Sequence, residues 1–415
     1  MKEREYSLQE TIPYRLAPEC WFVPGAKRAA IYDLNTGNVY SINEIARQIV
    51  EGSISDNFGF WEKLKKLGIV EVNNFPPRIT ELEISEVGLE FMWLELTGRC
   101  NQKCLHCYTS AENLPQNEEL PISGWEKIIE EGRKLGCKKL QFIGGEPLLF
   151  REIFDLAKLA KDLNYEFIEI FTNGTLLDER KIQNIKDLGI SIAISLYSIA
   201  PEIHDRITQI PGSFQRTIKS PQILKEAGVP TRIGIVIMRQ NQDTILETQM
   251  RLQEMGFESS RADVVRPTGR GSCADLLPKE EVIRTWALMT KPDFSISKEQ
   301  FSRNRHWNSC WAGKIAITPN GKIIPCIFAR EHIVWDARNG LEEGIHSKEL
   351  QKLWRITKDQ IEGCKKCEYR YACYDCRPLA EGVTGNLYAK NPRCTYSPET
   401  GEWESSKKKG GEKSL

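Results

Sequence analysis

Residues 91–108 read FMWLELTGRCNQKCLHCY, a β-rich apolar run followed at once by Cys100, Cys104 and Cys107. The spacing Cys-x3-Cys-x2-Cys places three thiols within eight positions of one loop. Thiolate sites usually take four protein ligands, whether they hold zinc or an iron–sulfur cluster. Zinc would have to recruit His106 from inside the same loop. An iron–sulfur cluster would instead leave one iron open to a reactant, and the triplet favours that assignment. A loop that directly follows a strand is also where a βα fold carries its chemistry.

Outward from this loop the pattern repeats as strand, loop and amphipathic helix from Phe91 to about Pro267. The strand candidates are FMWLEL, KKLQFI, FIEIFT, ISIAISL, TRIGIVIM and RADVVR. Helix candidates between them include SGWEKIIEEGRKLG, EIFDLAKLAKDLN and DERKIQNIKDLG. Such alternation predicts a parallel sheet built of βα units. Six units fall short of a full TIM barrel, so the expected class is α/β, a partial (β/α)6 TIM-like barrel with its site at the C-terminal strand ends.

The triplet after the first strand of a partial barrel resembles the radical S-adenosylmethionine (SAM) enzymes. That resemblance implies a 4Fe-4S cluster on Cys100, Cys104 and Cys107, with the amino and carboxylate groups of SAM on the fourth iron. Reductive cleavage of SAM then yields a 5′-deoxyadenosyl radical that abstracts a hydrogen atom. The family's position beside adenine matches His106; a histidine in a loop is otherwise most often solvated or capping. FIGGEP, residues 142–147, occupies the place of the family's glycine-rich motif, which implies SAM contacts from Gly144, Gly145 and Glu146. Two glycines let a backbone approach a ligand closely, and a carboxylate accepts from a cationic amine. FTNG implies contacts from Thr172 and Asn173, and Ser195 matches a position near the ribose or carboxylate; turn chemistry is the simpler account of both. Related enzymes carry Asp-x-x-Arg-Gly after the fourth strand. Here HDRITQIPGSF puts Thr208 where that arginine would stand, leaving Arg206 as the candidate for the SAM carboxylate.

Of thirteen cysteines, ten cluster in two regions, and metal binding accounts for the clustering. Cys20 and Cys137 are expected to be buried thiols. The second region holds Cys310, Cys326, Cys364, Cys367, Cys373, Cys376 and Cys394. Seven thiolates exceed one tetrahedral site and fall one short of two. The spacing resembles the SPASM extension of radical SAM enzymes, which implies two auxiliary 4Fe-4S clusters. By that family's interleaved pattern, Cys364, Cys367, Cys373 and Cys394 would hold the outer cluster. Cys310, Cys326 and Cys376 would hold the inner one, a ligand short: either Cys273 supplies it, or an iron is open to water or to a substrate thiolate. A plain loop thiol is the simpler account of Cys273. The family usually has three residues between the last two members of the second group, and here Tyr374 and Asp375 are two.

The chain has 415 residues, with 57 Lys plus Arg against 57 Asp plus Glu, so charge gives no reason to expect bulk nucleic-acid binding. No apolar run approaches a membrane span and the N-terminus lacks a signal-peptide core, so a cytoplasmic location is expected. Residues 1–85 hold the strand-like runs RAAIYDL and NVYSI joined by NTG, then helical periodicity in NEIARQIVEG and FWEKLKKLGIVEV. This zone resembles the PqqD-like peptide-recognition domain, of winged-helix-like α+β form, found in maturases of ribosomally made peptides. The alternative is a winged-helix ornament packed on the barrel. The expected division is 1–85 for peptide recognition, 86–305 for the barrel, 306–398 for the auxiliary clusters and 399–415 for a disordered tail. NNFPPRITELEISE is expected to be a linker, and the region from Cys310 to Cys394 to hold little helix beyond 347–359.

Together these resemblances imply a radical SAM oxidoreductase that installs a thioether or carbon–carbon cross-link in a precursor peptide held by its leader. A flavodoxin or ferredoxin would supply electrons. Two alternatives belong to other classes: oxidation of a Cys or Ser on a folded protein, as in sulfatase-maturing enzymes, and a non-catalytic zinc-binding adaptor. Many carboxylates lie in the loops and none stands out as a catalytic acid or base.

Overall fold

Alternating inward and outward side chains set the central sheet. The computed structural model describes residues 14–57, 59–72, 86–110, 118–257, 262–285 and 289–404. Strands β1 (Tyr14–Leu16), β2 (Cys20–Pro24), β3 (Ala29–Asp33), β4 (Val39–Ile42) and β5 (Val70–Val72) belong to an N-terminal α+β unit. The barrel strands are β6 (Phe91–Glu95), β7 (Lys139–Ile143), β8 (Phe167–Thr172), β9 (Ser191–Ser195), β10 (Thr231–Gly234), β11 (Val236–Ile237) and β12 (Asp263–Val264). Strands β13 (Lys314–Ile317), β14 (Lys322–Ile324) and β15 (Trp335–Asp336) come from the C-terminal region.

The main sheet runs β10-β9-β8-β7-β6-β13-β14-β15. Strands β6 to β10 pair in parallel, as the βα alternation predicts. On β8 the outward residues Ile168 and Ile170 are buried in the hydrophobic core, while Phe167, Glu169 and Phe171 line the barrel interior and Thr172 ends the strand at the cavity. Helix Ile153–Asp162 buries Ile153, Leu156, Ala157 and Ala160, one stripe at helical spacing. Helix Glu179–Leu188 starts where the Asp178 side chain accepts from Lys181 N–H at 2.8 Å, and it stops at left-handed Gly189.

Four local features differ from the sequence expectation. The sixth strand, β12, pairs with β11, the continuation of the fifth strand beyond a break at Ile235. The C-terminal region extends the barrel's own sheet, with Ile315 and Ile317 on β13 in parallel register with Met92 and Leu94 on β6. That region also holds helices Leu341–Ile345, Lys348–Trp354 and Arg377–Thr384, more helix than expected. Part of the span expected as tail carries strand structure: Glu402–Trp403 pairs with Tyr396–Ser397, and the Trp403 and Tyr396 rings stand 4.8 Å apart.

In the N-terminal unit, β2-β3-β4 form an antiparallel sheet closed by the expected turn, in which Asn35 N–H and Thr36 Oγ1 bond to Asp33. Every residue of β3 is buried. Ala29 and Ile31 face the unit's own core with Trp61 and Leu64, while Ala30 and Tyr32 face Tyr369, Ala372 and Phe301. The unit is therefore seated on the C-terminal cysteine region, and Tyr32 Oη donates to the Glu368 carbonyl at 3.0 Å. The linker expected at NNFPPRITELEISE falls almost entirely on residues outside those described. Among the described residues no helix is long and apolar enough to cross a membrane.

Candidate active site

The cysteine triplet sits on the loop that leaves β6, and the loop is pinned from three sides. Lys103 and Leu105 N–H donate to the carbonyls of Thr208 and Ile207 at 3.0 and 2.9 Å. Arg270, beyond β12, donates through Nε to the Cys104 carbonyl and through its backbone N–H to the Cys107 carbonyl, each at 2.9 Å. Gly145 N–H donates to the Thr97 carbonyl at 2.7 Å and Glu146 N–H to the Arg99 carbonyl at 2.8 Å.

These last bonds explain the paired glycines. A Cβ on Gly144 would lie 2.6 Å from the Thr97 carbonyl oxygen, and one on Gly145 2.2 Å from the Arg99 oxygen. The glycines therefore let two backbone segments interlock, one of them carrying the thiols. Glu146 is fully buried, and its oxygens accept from Thr172 Oγ1 at 2.6 Å, Leu148 N–H at 3.1 Å and Asn173 N–H at 2.8 Å. Burial pushes its carboxyl up to about 7 against the pull of those donors. Its contacts are thus spent on holding the FTNG turn to the GGE loop.

A cavity of about 1350 Å³ opens beside the triplet. Cys100, Cys104, His106 and Cys107 line it together with Gly144, Gly145, Thr172, Asn173 and Ser195. Arg206 is not brought there. It is exposed on helix Pro201–Thr208, whose buried face carries His204, Ile207 and Thr208, so position 206 points the other way. Thr208 shares a hydrogen bond of 2.6 Å with Ser213. Glu146 supports the cavity wall from behind.

Several further residues that pattern alone did not reveal line the same space. Tyr197 lies beside Ser195 and Cys104 and meets the His106 ring edge-on at 4.7 Å. Burial, with Arg270 nearby, lowers the His106 imidazole to about 4, so it stays neutral, and its Nδ1 is buried without a partner among the described residues. Inside the barrel Arg232 makes a bidentate pair with Glu169 at 2.7 and 2.8 Å, and Gln141 donates to the same carboxylate. Across the cavity, Phe328 packs edge-on against Tyr108 at 5.4 Å, and Arg266 lies over the Phe328 ring.

The triplet fits the cluster that its spacing implies. Burial pushes the Cys100 thiol up to about 11 and Cys104 to about 12, so thiolates there need a metal's positive charge beside them.

The seven C-terminal cysteines fall into two groups. Cys364, Cys367, Cys373 and Cys394 line one small cavity together with Lys358. Cys310, Cys326 and Cys376 are close enough to act on one another; burial first, and then these neighbours, push Cys310 up to about 11 and Cys326 to about 12. Cys273 is exposed, next to the turn Gly269–Ser272 that packs on the first cysteine loop. Cys20 and Cys137 are buried, as expected.

The family model of the radical SAM superfamily matches residues 94–252. Among curated proteins, the chain is 25% identical over 343 residues to the AdoMet-dependent heme synthase of Methanosarcina barkeri, covering 73% of this chain and 95% of that one. It is 27% identical over 330 residues to the PqqA peptide cyclase of Granulibacter bethesdensis, covering 73% and 86%. Among solved structures, Streptococcus suis SuiB bound to the precursor peptide SuiA superposes with a TM-score of 0.59 at 15% identity, over 91% of this chain and 98% of that one. The enzyme anSMEcpe with bound AdoMet and a peptide gives 0.56 at 17%, over 72% and 92%. These two likenesses are of fold.

Proposed function

We propose that the chain is a radical SAM enzyme, which the family match over residues 94–252 supports, and that it modifies a ribosomally made precursor peptide by closing a thioether or carbon–carbon cross-link. The single observation that carries this is the extent of the main cavity. It runs from Cys100, Cys104 and Cys107 across the barrel interior to Arg266 and Phe328, beside Cys310, Cys326 and Cys376. Such a space accommodates SAM with room for a peptide segment. The sequence kinship with PqqA peptide cyclases supports the same substrate class.

When bound, the cluster on the triplet and SAM supply a 5′-deoxyadenosyl radical. The chain's own residues do the rest of the positioning. Gly144 and Gly145 lock the cysteine loop, Thr172 and Asn173 are set by Glu146, and the neutral His106 and Tyr197 offer an aromatic wall for a nucleobase. The auxiliary clusters are assigned to Cys364, Cys367, Cys373 and Cys394 and to Cys310, Cys326 and Cys376, with the inner set's open position left to a substrate thiolate. Residues 1–85 are assigned to leader binding by strand addition to the sheet β2-β3-β4, 86–305 to the barrel and 306–398 to the auxiliary clusters. A flavodoxin or ferredoxin is the proposed electron donor, and the cytoplasm the proposed location.

Kinship with AdoMet-dependent heme synthases favours one competing class, a porphyrin substrate. Anaerobically reconstituted enzyme with SAM and dithionite separates the two. The peptide proposal expects 5′-deoxyadenosine formation to rise with a candidate precursor that keeps its leader, and a product lighter by about two hydrogens. Stimulation by an iron-porphyrin precursor and not by leader-bearing peptides would overturn it.

A further inference from the structure

Two cations and one anion are buried between the C-terminal cysteine sets. Lys358 Nζ stands 3.0 Å from Asp375 Oδ1, and Arg377 Nη2 stands 2.7 Å from the same oxygen. Their side chains are 5%, 2% and 0% exposed. Arg377 Nη1 also donates to the carbonyls of Leu387 and Ala389 at 2.7 and 2.8 Å, which fixes its guanidinium. Two positive groups thus share one carboxylate, and the protein's own charges leave a net positive charge in the interior. Buried charges are ordinarily paired, since an uncompensated one is costly.

The cysteines beside Lys358 are the groups that can balance this charge. Lys358 lines the small cavity formed by Cys364, Cys367, Cys373 and Cys394. Asp375 is fixed by the sequence Cys373-Tyr374-Asp375-Cys376, between one cysteine of each set. A carboxylate held between thiolates would be repelled unless cations flank it. Arg377 supplies enough of that compensation for Lys358 to keep much of its charge for the thiols. Asp375 Oδ2 and Arg377 Nε have no partner among the described residues, so the network has donor and acceptor capacity in reserve.

We propose that Lys358 is the resident counter-charge of the group held by Cys364, Cys367, Cys373 and Cys394 and raises its reduction potential, with Asp375 and Arg377 as positioning residues. This rests on assigning those four cysteines to a 4Fe-4S cluster. Four thiolates around such a core carry net negative charge, which grows on reduction. A fixed cation in a dry wall therefore stabilises the reduced form more than the oxidised one.

Redox-titrated electron paramagnetic resonance on full-length, anaerobically reconstituted protein tests this in wild type, Lys358→Met, Lys358→Arg and Asp375→Asn, with iron counted in each. Lys358→Met is expected to lower the midpoint of one C-terminal cluster and leave the other signals in place. Lys358→Arg should stay near wild type, and Asp375→Asn should move the same midpoint upward. Loss of about four irons in Lys358→Met but not in Lys358→Arg would equally support a charge requirement. An unshifted midpoint in Lys358→Met at full iron content, or the same change in Lys358→Arg, would overturn the role of Lys358. Wild-type protein without the auxiliary signals would instead overturn the cluster assignment, before any variant is compared.

Discussion

Gly145→Ala is a small change with a large expected effect. The added methyl would lie 2.2 Å from the Arg99 carbonyl oxygen and 2.6 Å from its carbon. Ordinary contact is about 3.4 Å, so the cysteine loop must retreat by roughly 1 Å. The obstacle is backbone, and it is tied in place by the Gly145–Thr97 and Glu146–Arg99 hydrogen bonds. Overpacking of this kind costs about 1–3 kcal/mol. A displacement near 1 Å between a reacting centre and its substrate can cost on the order of 100-fold in rate. Gly145→Ala is therefore expected to keep its iron while 5′-deoxyadenosine formation falls about 100-fold. Gly124→Ala is the control, because a Cβ there meets only the side chains of Leu120 and Pro121, at 3.4 and 3.6 Å. Its activity should be unchanged and its stability slightly raised. Turnover in Gly145→Ala within about twofold of wild type would refute the claim that these glycines set the loop's position.

Three further expectations concern stability. The Glu146 carboxyl is raised from 4.5 to about 7 by burial, so the folded state holds a proton that the unfolded state has released between those values. Stability should fall by about 3 kcal/mol as pH rises through that window, and urea titrations of Glu146→Gln should lack most of the slope. Arg232→Met strands the buried Glu169 carboxylate and should cost about 2–3 kcal/mol, most of it recovered in Arg232→Met/Glu169→Gln; equal losses in single and double variants would contradict the pairing. Tyr32→Phe removes the bond from the N-terminal sheet to the Glu368 carbonyl and should cost about 1 kcal/mol in chemical denaturation. A change within error would mean that apolar packing alone seats that sheet.

The barrel was largely legible because each strand and helix carries its own period. Ile153, Leu156, Ala157 and Ala160 announce a helix face, and Phe167 to Thr172 alternate across a sheet. What escaped depends on distant partners. The four-residue KIAI of β13 has no signal of its own, and its place beside β6 depends on a pairing across more than two hundred residues. Helix Arg377–Thr384 contains Pro378, Gly382 and β-branched residues, so propensity argues against it; Gly382 is there because Pro267 fills the space of a Cβ. Arg206 failed to reach the cavity because helical geometry, invisible in a motif alignment, turns it outward. The cysteine spacings displayed which cysteines fall together, as Cys364, Cys367, Cys373 and Cys394 do around one small cavity, whereas the cation beside them could be found only from burial.

Iron and acid-labile sulfide content on anaerobically reconstituted protein, wild type against Cys100→Ala/Cys104→Ala/Cys107→Ala, tests the central claim most directly. About twelve irons per chain, falling to about eight in the triple variant with loss of 5′-deoxyadenosine formation, is the expected result. Zinc in place of iron, or SAM cleavage that survives loss of the triplet, would contradict it.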